Sequence, residues 1–462
     1  MLDRRSFLAL TSGFLAAAGL PGRAGEPRLL RRRLRATVAK RRVFGRDVTL
    51  FLYDGRFPGP VLELEEGDRL ELEFENALPE ATNLHFHGMR LPPTGRGDNV
   101  YVDIPPGERF TYAFDVPAGE AGTYWYHPHL HGRLAEQLWR GLAGAIVVRG
   151  PLDRIPELAR CDERIVLLRD IAFDEGGLAR HRPSDWHNGK EGPIVLANGV
   201  FEPVWRLRAA TARLRLVNTS NARFLRLGLS DRRPFFLIAI DGRFLERPVD
   251  LEELMLSPGQ RADLLVPIED GRSVDVLALP HNRGVPTPRL VNRFLLRLVP
   301  PAGARPLPLP DRLAEIPRLA ATVPSRRRRI TLAMFLLGGR LYRRERVDIL
   351  ARAGDVELWQ VENVDALFHN FHLHTWIFQV HRRNGRPPPF PAWADTVPLA
   401  PGERLELLVP LTPHTGRTVF HCHIAEHNDR GMMGTIEVCR DLRAEGEPVP
   451  IVLGMGGAVC RV

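Results

Sequence analysis

The sequence predicts an all-β protein built from three related β-sandwich domains, and three observations support this prediction. Short stretches that are alternating or wholly apolar are separated by turns rich in Pro and Gly, of which the chain has 40 and 41. One strand-like segment occurs three times, each copy ending in asparagine, at residues 69–76, 213–218 and 356–363. After every copy a Pro-Gly turn leads to an arginine, at residues 106–109, 258–261 and 401–404.

Domain boundaries follow from this repeat and from a proline-rich stretch. Residues 300–325 include Pro300-Pro301 and the segment Pro306-Leu-Pro-Leu-Pro310, a composition typical of a linker. We therefore expect an N-terminal signal, a first domain, a second domain, the linker and a third domain, at residues 1–24, 25–155, 156–299, 300–325 and 326–462.

The first 24 residues have the pattern of an export signal. Arg4-Arg5-Ser-Phe-Leu is typical of a twin-arginine signal, and the apolar run that follows ends near Leu20. This run is shorter than the about 20 apolar residues of a membrane-spanning helix, so we expect no membrane span. We expect cleavage after Ala24 and a periplasmic or secreted protein. The alternative is an ordinary secretory signal with a chance arginine pair.

The formal net charge is +9, and arginines are clustered at residues 31–33 and 326–329. Such runs can bind nucleic acid or anionic surfaces. No aromatic-rich basic module accompanies them, so we interpret them as solvated faces of the protein. We expect no nucleic-acid partner and a monomeric chain.

Histidines occur in four His-x-His pairs, and this spacing indicates a metal cluster. On a strand, residues two apart point to the same face, so each pair presents two imidazoles together. Eight imidazoles suit three copper ions that bind two, three and three of them. The pairs are His85 and His87, His127 and His129, His372 and His374, and His421 and His423.

Cys422 stands between the two histidines of the last pair and would point to the opposite face of the same strand. His427 and Met432 follow it by five and ten residues. A thiolate, two imidazoles and a weak thioether are the ligands of blue-copper electron-transfer sites. His369, three residues before the third pair, is the imidazole that completes this set.

The second copy of the repeat differs from the others because no histidine follows it. After Asn76 and Asn363 the next strand carries a His-x-His pair, whereas residues 219–226, which follow Asn218, contain no histidine. We therefore expect domain 2 to contribute no metal ligands and to act as a spacer and substrate wall. Domains 1 and 3 must then face each other across the cluster.

Four segments of the chain resemble the signature segments of the multicopper oxidase family, in particular its bacterial laccase-like members. They are residues 85–88 (His-Phe-His-Gly), 125–129 (Trp-Tyr-His-Pro-His), 369–374 (His-Asn-Phe-His-Leu-His) and 421–432. The resemblance extends from about residue 40 to the C-terminus. It implies three cupredoxin-like Greek-key β-sandwich domains and four copper ions, one of type 1, one of type 2 and two of type 3.

The resemblance also implies a role for each ligand. The type 1 copper would be bound by His369, Cys422 and His427, with Met432 as its weak axial ligand. The type 2 copper would be bound by His85 and His372. One type 3 copper would be bound by His87, His127 and His423, and the other by His129, His374 and His421. Electrons would pass from the type 1 copper to the cluster through Cys422 and its neighbours His421 and His423.

An acidic residue that delivers protons for oxygen reduction is also typical of the family. Asp98, shortly after the first His-x-His pair, is our candidate, and a turn-forming aspartate without a catalytic role is the alternative. Many bacterial relatives place a glutamate directly after the second type 1 histidine. This chain has Asn428 there, followed by Asp429, which leaves that proton path unassigned.

The resemblance implies an oxidoreductase that couples one-electron oxidation of a small reducing substrate to the four-electron reduction of dioxygen to water. We expect a laccase-like activity on phenolic or other aromatic compounds. Oxidation of cuprous, ferrous or manganous ions is the second choice. Members specialised for cuprous ion often carry a Met-rich insertion, whereas the seven methionines of this chain are scattered.

Three other interpretations are less consistent with the sequence. A copper-free exported structural or division-associated member of the superfamily would have lost ligands, but all ten histidines and the cysteine are present. Structural zinc sites use more thiolates than this chain offers. A two-domain nitrite reductase or a simple cupredoxin would lack the third domain and the segment at residues 125–129.

Three cysteines lie outside the predicted copper site, namely Cys161, Cys439 and Cys460. An oxidising compartment allows one disulfide among them, and buried free thiols are the alternative. Their spacing does not choose the pair.

Overall fold

Strands make up nearly all the regular structure of the protein, as the sequence predicts. The computed structural model describes residues 28–441, which contain 33 strands and four short α-helices. The predicted signal at residues 1–24 and Cys460 lie outside this range. Within it, every helix is too short or too polar to cross a membrane.

The first sandwich consists of two four-stranded sheets around one apolar core. Its elements are β1 (Leu29–Val43), β2 (Arg46–Tyr53), β3 (Leu62–Glu65), β4 (Arg69–Ala77), β5 (His85–His87), β6 (Arg109–Asp115), β7 (Gly122–His127), α1 (Leu134–Trp139) and β8 (Gly144–Arg149). The strand orders are β2-β1-β4-β6 and β3-β8-β7-β5. Leu70 and Leu72 alternate with partly exposed glutamates along β4, which is why this strand buries one face.

The second sandwich follows a short helix, α2 (Pro156–Ala159). Its elements are β9 (Asp162–Ile171), β10 (Phe173–Asp174), β11 (Gly177–Leu178), α3 (Pro183–Asn188), β12 (Ile194–Ala197), β13 (Val200–Phe201), β14 (Val204–Arg206), β15 (Thr211–Asn218), β16 (Leu225–Leu229), β17 (Phe235–Ile240), β18 (Arg243–Leu251), β19 (Glu253–Leu256), β20 (Arg261–Pro267), β21 (Val274–Leu279) and β22 (Leu296–Val299). The two main sheets have the orders β13-β12-β9-β15-β20-β17-β18 and β14-β22-β21-β16-β19.

The third sandwich has a six-stranded and a five-stranded sheet. Its elements are β23 (Arg326–Ala333), β24 (Leu336–Leu337), β25 (Ile349–Arg352), β26 (Val356–Asn363), β27 (His369–Leu373), β28 (Phe378–Arg383), β29 (Trp393–Ala394), β30 (Thr396–Leu399), β31 (Arg404–Pro410), β32 (Gly416–His421), α4 (Ala425–Asp429) and β33 (Met433–Cys439). The strand orders are β24-β23-β26-β31-β28-β29 and β25-β33-β32-β27-β30.

The repeated segments form equivalent strand pairs in the three sandwiches. Each copy is a strand, β4, β15 or β26, that pairs antiparallel with the strand after the Pro-Gly turn, β6, β20 or β31. In each copy the turn glycine donates its N–H to the carbonyl oxygen of the final asparagine. The distances are 2.7 Å from Gly107 to Asn76, 2.9 Å from Gly259 to Asn218 and 3.0 Å from Gly402 to Asn363. The recurrence in sequence therefore corresponds to one corner of the sandwich, built three times.

Both arginine runs lie on strands and pair with glutamates of the neighbouring strand. Arg31 and Arg33 of β1 contact Glu71 and Glu73 of β4, and Arg329 of β23 contacts Glu362 of β26. The arginines of these pairs are well exposed, so each pair stabilises the fold by about 1 kcal/mol at most.

The predicted linker has little regular structure. Residues 301–325 contain no strand and one short 3-10 turn, Leu319–Ala321. The exact domain boundaries stay a prediction.

Cys439 is disulfide-bonded, whereas Cys161 and Cys422 are free thiols.

Candidate metal centre

The four His-x-His pairs converge between the first and third sandwiches. In the first sandwich, the antiparallel register of β5 and β7 sets His85 opposite His127. In the third, the register of β27 and β32 sets His372 opposite His421. Strand pairing therefore brings the histidines together two pairs at a time, and the contact between the two sandwiches completes the cluster.

Three groups of imidazole nitrogens form within this cluster, each with its candidate ligand atoms within 4.8 Å of one another. They are His85, His87 and His372; His87, His127 and His423; and His129, His374 and His421. In the last group, Nε2 of His421 lies 3.0 Å from Nε2 of both His129 and His374. The structure thus brings all eight predicted histidines together.

Burial holds the imidazoles of His85, His129 and His421 in the neutral form that binds metal. It lowers the pKa of His129 to about 3 and places the pKa of His85 and His421 well below the ordinary value. Nε2 of His85, His127 and His372 is buried without a hydrogen-bond partner among residues 28–441. Leaving such nitrogens unpaired is costly, and neutral imidazoles suit copper. The side chains therefore fit the copper cluster that the resemblance implies.

A second group lies on the other side of residues 421–423. Sγ of Cys422 is 3.7 Å from Nδ1 of His369 and 3.9 Å from Nδ1 of His427, and all three side chains are fully buried. Met432 is fully buried in the same apolar cluster as Cys422. Its carbonyl oxygen accepts a hydrogen bond of 3.0 Å from the N–H of Cys422. A sulfur, two imidazoles and a thioether fit a blue-copper site.

The short segment between the two groups departs from the predicted strand. β32 ends at His421. The N–H of Cys422 still bonds to the carbonyl of Met432, in register with β33, but the N–H of Met432 bonds to the carbonyl of His427 instead, and α4 begins at Ala425. The alternation of side chains nevertheless continues: His421 and His423 belong to the histidine cluster, and Cys422 belongs to the second group.

Asn370 connects the two groups and was not singled out from the sequence. Its Oδ1 accepts a hydrogen bond of 2.7 Å from the N–H of His423 and lies 3.5 Å from Sγ of Cys422. The sequence could have pointed to this asparagine, because it lies between His369 and His372 inside the signature segment. Met433, by contrast, packs with Val100 and Val419, away from the apolar cluster that contains Cys422.

Asp98 lies directly against the cluster. Both of its carboxylate oxygens are 2.9 Å from Nδ1 of His85, and Oδ1 also accepts a 2.9 Å hydrogen bond from the N–H of Phe86. Its Oδ2 is 4.0 Å from Nδ1 of His374. Burial raises the pKa of Asp98 to about 8. This carboxylate fixes the ring of His85 so that Nε2 faces the cluster.

The residues after His427 do not provide an acid to the cluster. Asn428 is buried, and its Nδ2 lies 3.8 Å from the sulfur of Met433. Asp429 accepts hydrogen bonds of 2.8 and 2.7 Å from the N–H groups of Gly132 and Ala135, at the start of α1. Burial raises the pKa of Asp429 to about 7. Asp429 therefore caps a helix.

The sulfur-containing group is covered from outside. Nε2 of His427 donates to the carbonyl oxygen of His187 at 2.9 Å, and Nε2 of His369 lies 3.2 Å from Oδ2 of Asp365. The ring of Phe335 is 5.8 Å from that of His427. Arg430 lies over Phe335 at 4.8 Å. The surface nearest His427 is thus aromatic and basic, whereas the surface nearest His369 carries the acidic side chain of Asp365.

A cavity of about 310 Å³ reaches the histidine cluster from another side. Its lining includes His129, His131, Tyr101 and Tyr342. His131 lies with its ring 4.9 Å from that of Tyr342 and joins none of the candidate metal groups formed by the described residues. The same holds for the other histidines that the sequence leaves without a metal role, His181, His187, His281, His381 and His414.

Two further residues that the sequence did not point to are Asp395 and Thr396. Oδ1 of Asp395 is 3.2 Å from Nε2 of His87 and 3.3 Å from Nδ1 of His372. Oγ1 of Thr396 is 3.0 Å from the same nitrogen of His372. Neither residue belongs to a recognisable motif, so only the fold reveals their position.

Comparisons with known proteins agree with the fold. Three sequence profiles described as multicopper oxidase match residues 37–153, 188–275 and 312–441. Multicopper oxidase mco of Staphylococcus haemolyticus is 30% identical over 397 residues, which cover 84% of this chain and 83% of that protein.

Two other relatives widen the comparison. Cell division protein FtsP of Xenorhabdus nematophila is 31% identical over 408 residues, covering 83% of this chain and 84% of its own. The solved multicopper oxidase of Campylobacter jejuni, described as a metallo-oxidase, has a TM-score of 0.81 and 30% identity, covering 91% of this chain and 93% of its own. The predicted all-β fold of cupredoxin-like sandwiches is confirmed, and the chain belongs to the multicopper oxidase family.

Proposed function

We propose that the protein is a copper-dependent oxidase that transfers electrons from a small reducing substrate to dioxygen, with water as the product. The observation that carries this proposal is that one tripeptide, residues 421–423, contributes side chains to two candidate metal-binding groups. Eight imidazoles converge on one side of residues 421–423, and a group of Cys422, His369 and His427 lies on the other. Two such groups suit an enzyme that collects electrons one at a time and delivers four together.

Each predicted ligand has a role in this proposal. His369, Cys422, His427 and Met432 would hold the type 1 copper, and His85 and His372 the type 2 copper. His87, His127 and His423 would hold one type 3 copper, and His129, His374 and His421 the other. Bound copper would supply one-electron redox chemistry and bind dioxygen.

The protein side chains would position and connect these ions. His421 and His423 flank Cys422 in the chain, so the covalent path between the two groups is short. Asn370 contacts both Cys422 and His423 and would keep them in register. Burial excludes water from the ligand atoms, so these groups are held by neighbouring polar side chains and not by solvent.

Asp98 would hold and pass a proton at the histidine cluster. Its carboxylate is in hydrogen-bond contact with His85, and no side chain of the 427–429 segment offers a comparable acid there. Reduction of dioxygen to water consumes four protons, so an acid next to the cluster is needed.

Small aromatic donors are the substrate class that we propose first. The surface next to His427 carries the ring of Phe335 under the guanidinium of Arg430, with the imidazole of His187 5.9 Å from Phe335. An aromatic donor can stack on such a surface. Because the carbonyl of His187 already accepts the Nε2 hydrogen bond of His427, the donor would dock beside this imidazole and not bond to it.

Oxidation of metal ions is the second candidate, and one contact favours it. Asp365 is partly exposed and lies against His369, where its carboxylate could bind a cation such as ferrous or cuprous ion. The related enzyme of Campylobacter jejuni is described as a metallo-oxidase. A role in cell division, which the FtsP relatives have by name, is the alternative, but the complete and converging ligand set argues for an enzyme.

Oxygen uptake by the copper-loaded protein distinguishes these substrates. We expect uptake with 2,6-dimethoxyphenol, and uptake with ferrous or cuprous ion but not the phenol would reject the first choice. Asp365→Asn tests the second: it should raise KM for ferrous ion and leave KM for the phenol unchanged. Glu362→Gln, at a half-buried glutamate that lies three residues earlier and pairs with Arg329, is the control. We also propose that the chain is exported to the periplasm or beyond, following the signal predicted at residues 1–24.

A further inference from the structure

The second copy of the repeated Pro-Gly turn is buried, whereas the other two are exposed. In the first and third sandwiches this turn, residues 106–109 and 401–404, lies at the surface. In the second sandwich residues 258–261 are fully enclosed, and Arg261 has no exposed surface. The same local structure therefore has a different environment in the sandwich that carries no ligands.

The buried turn contacts the candidate metal centre along its whole length. The carbonyl oxygen of Pro258 accepts a 2.8 Å hydrogen bond from Asn370, the residue that touches Cys422 and His423. A Cβ placed on Gly259 would lie 2.8 Å from the ring of His423, so only glycine fits there. Nε2 of Gln260 donates to the carbonyl of Thr396 at 3.0 Å.

Arg261 makes the strongest of these contacts. Its Nη1 and Nη2 donate to the two oxygens of Asp395 at 2.8 and 2.5 Å, a bidentate ion pair without exposed surface. Asp241 supports the pair from behind: its Oδ2 accepts hydrogen bonds from the N–H groups of Asp395 and Thr396. The guanidinium also packs closely against Gly88: a Cβ placed on this glycine would lie 2.0 Å from Nη2 of Arg261.

Asp395 in turn holds two histidines that come from different sandwiches. Its Oδ1 is 3.2 Å from Nε2 of His87, of the first sandwich, and 3.3 Å from Nδ1 of His372, of the third. These are the ring nitrogens that face away from the cluster, because Nδ1 of His87 approaches His423 and Nε2 of His372 is unpaired. Such outer partners set the orientation of a metal-binding imidazole.

We infer that Arg261 is a positioning residue for the copper cluster: acting through Asp395, it aligns His87 and His372 across the boundary between the first and third sandwiches. This inference rests on the proposed function, since it concerns the ligands of that cluster. It also changes the expected role of the second sandwich, which supplies no ligand but supplies the cation that orients two of them. Arg109 and Arg404, at the equivalent positions, remain at the surface.

Lysine at position 261 tests the inference. Arg261→Lys keeps the charge but loses the bidentate geometry. We expect the affinity for the copper held by His85 and His372 to fall about 10- to 100-fold. The electron paramagnetic resonance signal of that type 2 copper should change, while the blue absorption due to Cys422 stays. Arg109→Lys and Arg404→Lys are matched controls that should leave both signals unchanged.

A melting experiment separates positioning from general stability. A ligand that binds only the folded protein raises its melting temperature, so the difference between copper-loaded and copper-free protein reports the binding. We expect Arg261→Lys to reduce this difference. A merely structural role would lower both melting temperatures equally and leave the type 2 signal intact, and that result would overturn the inference.

A second variant covers the case in which Arg261→Lys does not fold. Asp241→Asn is isosteric and touches no histidine of the cluster, and we expect a change of the type 2 signal in the same direction but smaller. An unchanged signal here would also count against the inference. If the wild-type protein itself took up no copper, the proposed function would fail. If the wild type loaded fully and the variants gave the same signals as the wild type, only the inference about Arg261 would fail.

Discussion

At the scale of single residues, the chemistry depends on the side chains that contact two partners at once. Cys422 provides a buried sulfur between two imidazoles and is also the chain neighbour of His421 and His423. Asp98 contacts a cluster imidazole through the nitrogen that faces outward. A change at either residue should remove one function without dismantling the site, which makes both suitable for substitution.

Cys422→Ser should abolish the blue absorption and reduce oxygen uptake to background, because a hydroxyl is a poor ligand for this kind of copper. The eight cluster imidazoles are untouched, so copper at the cluster should be retained. Visible absorption and metal analysis measure both effects. Cys161→Ser, at the other free thiol among the described residues, is the control and should stay blue. A blue Cys422→Ser protein would refute the ligand assignment.

Asp98→Asn should leave copper content near normal and slow oxygen reduction by about 100- to 10,000-fold, the usual range for a lost proton donor. The amide keeps a hydrogen-bond contact with His85 but cannot release a proton in the same way. Stopped-flow reoxidation of the reduced enzyme measures the step. Asp103→Asn, on the same loop and exposed, is the control. Unchanged reoxidation would remove Asp98 from the mechanism.

At the scale of elements, short helices connect the sandwiches around the site. α4 carries His427 in its middle, and its last residue, Asp429, binds the N–H groups at the start of α1 in the first sandwich. The carboxylate thereby satisfies donors that have no partner within the helix. This contact ties the loop that holds the sulfur-containing group to the sandwich that supplies half of the histidine pairs.

Asp429→Ala should lower the free energy of unfolding of the copper-free protein by about 0.5–2 kcal/mol, the usual cost of losing a helix cap. The rate of oxygen reduction should not change, because Asp429 contacts none of the cluster histidines in its described hydrogen bonds. Urea titration measures the first quantity and oxygen uptake the second. A variant with normal stability and slowed oxygen reduction would make Asp429 a proton carrier instead.

At the scale of the whole molecule, the candidate cluster exists only where the three sandwiches meet. The first and third sandwiches supply the histidines, and the second supplies Arg261, which is 134 residues from its partner Asp395 in the chain. Burial and the nearby Asp395 raise the pKa of Asp241 to about 7. Burial alone would also raise the pKa of Asp395, but the Arg261 guanidinium outweighs it and keeps that pKa below its ordinary value.

The sequence could predict those features of the fold and the site that depend on the spacing of residues close together in the chain. His-x-His pairs and the Cys422 segment place ligands within a few residues of each other, so their convergence was expected and is found. The repeat of Asn76, Asn218 and Asn363 likewise predicted three sandwiches, because each copy is bonded to its own turn.

The remaining features depend on contacts between distant segments and were not predictable. Asp395 and Thr396 lie in no motif. Arg261 lies in the repeated Pro-Gly turn, and the second copy of this turn differs only in having Gln260 where the others have Glu108 and Glu403. Its burial follows from how the sandwiches pack, which local spacing does not encode. The end of β32 at His421 was also missed, because it depends on the N–H of Met432, which bonds to the carbonyl of His427 and not to Cys422.

The central claim is that the eight imidazoles and the Cys422 group bind copper in two connected sites. Crystals of the copper-loaded protein, measured with X-rays on either side of the copper absorption edge, test this directly. We predict one anomalous peak between Cys422, His369 and His427 and three peaks among the eight imidazoles. Peaks that follow the zinc edge, or no peak at either group in fully loaded protein, would contradict it.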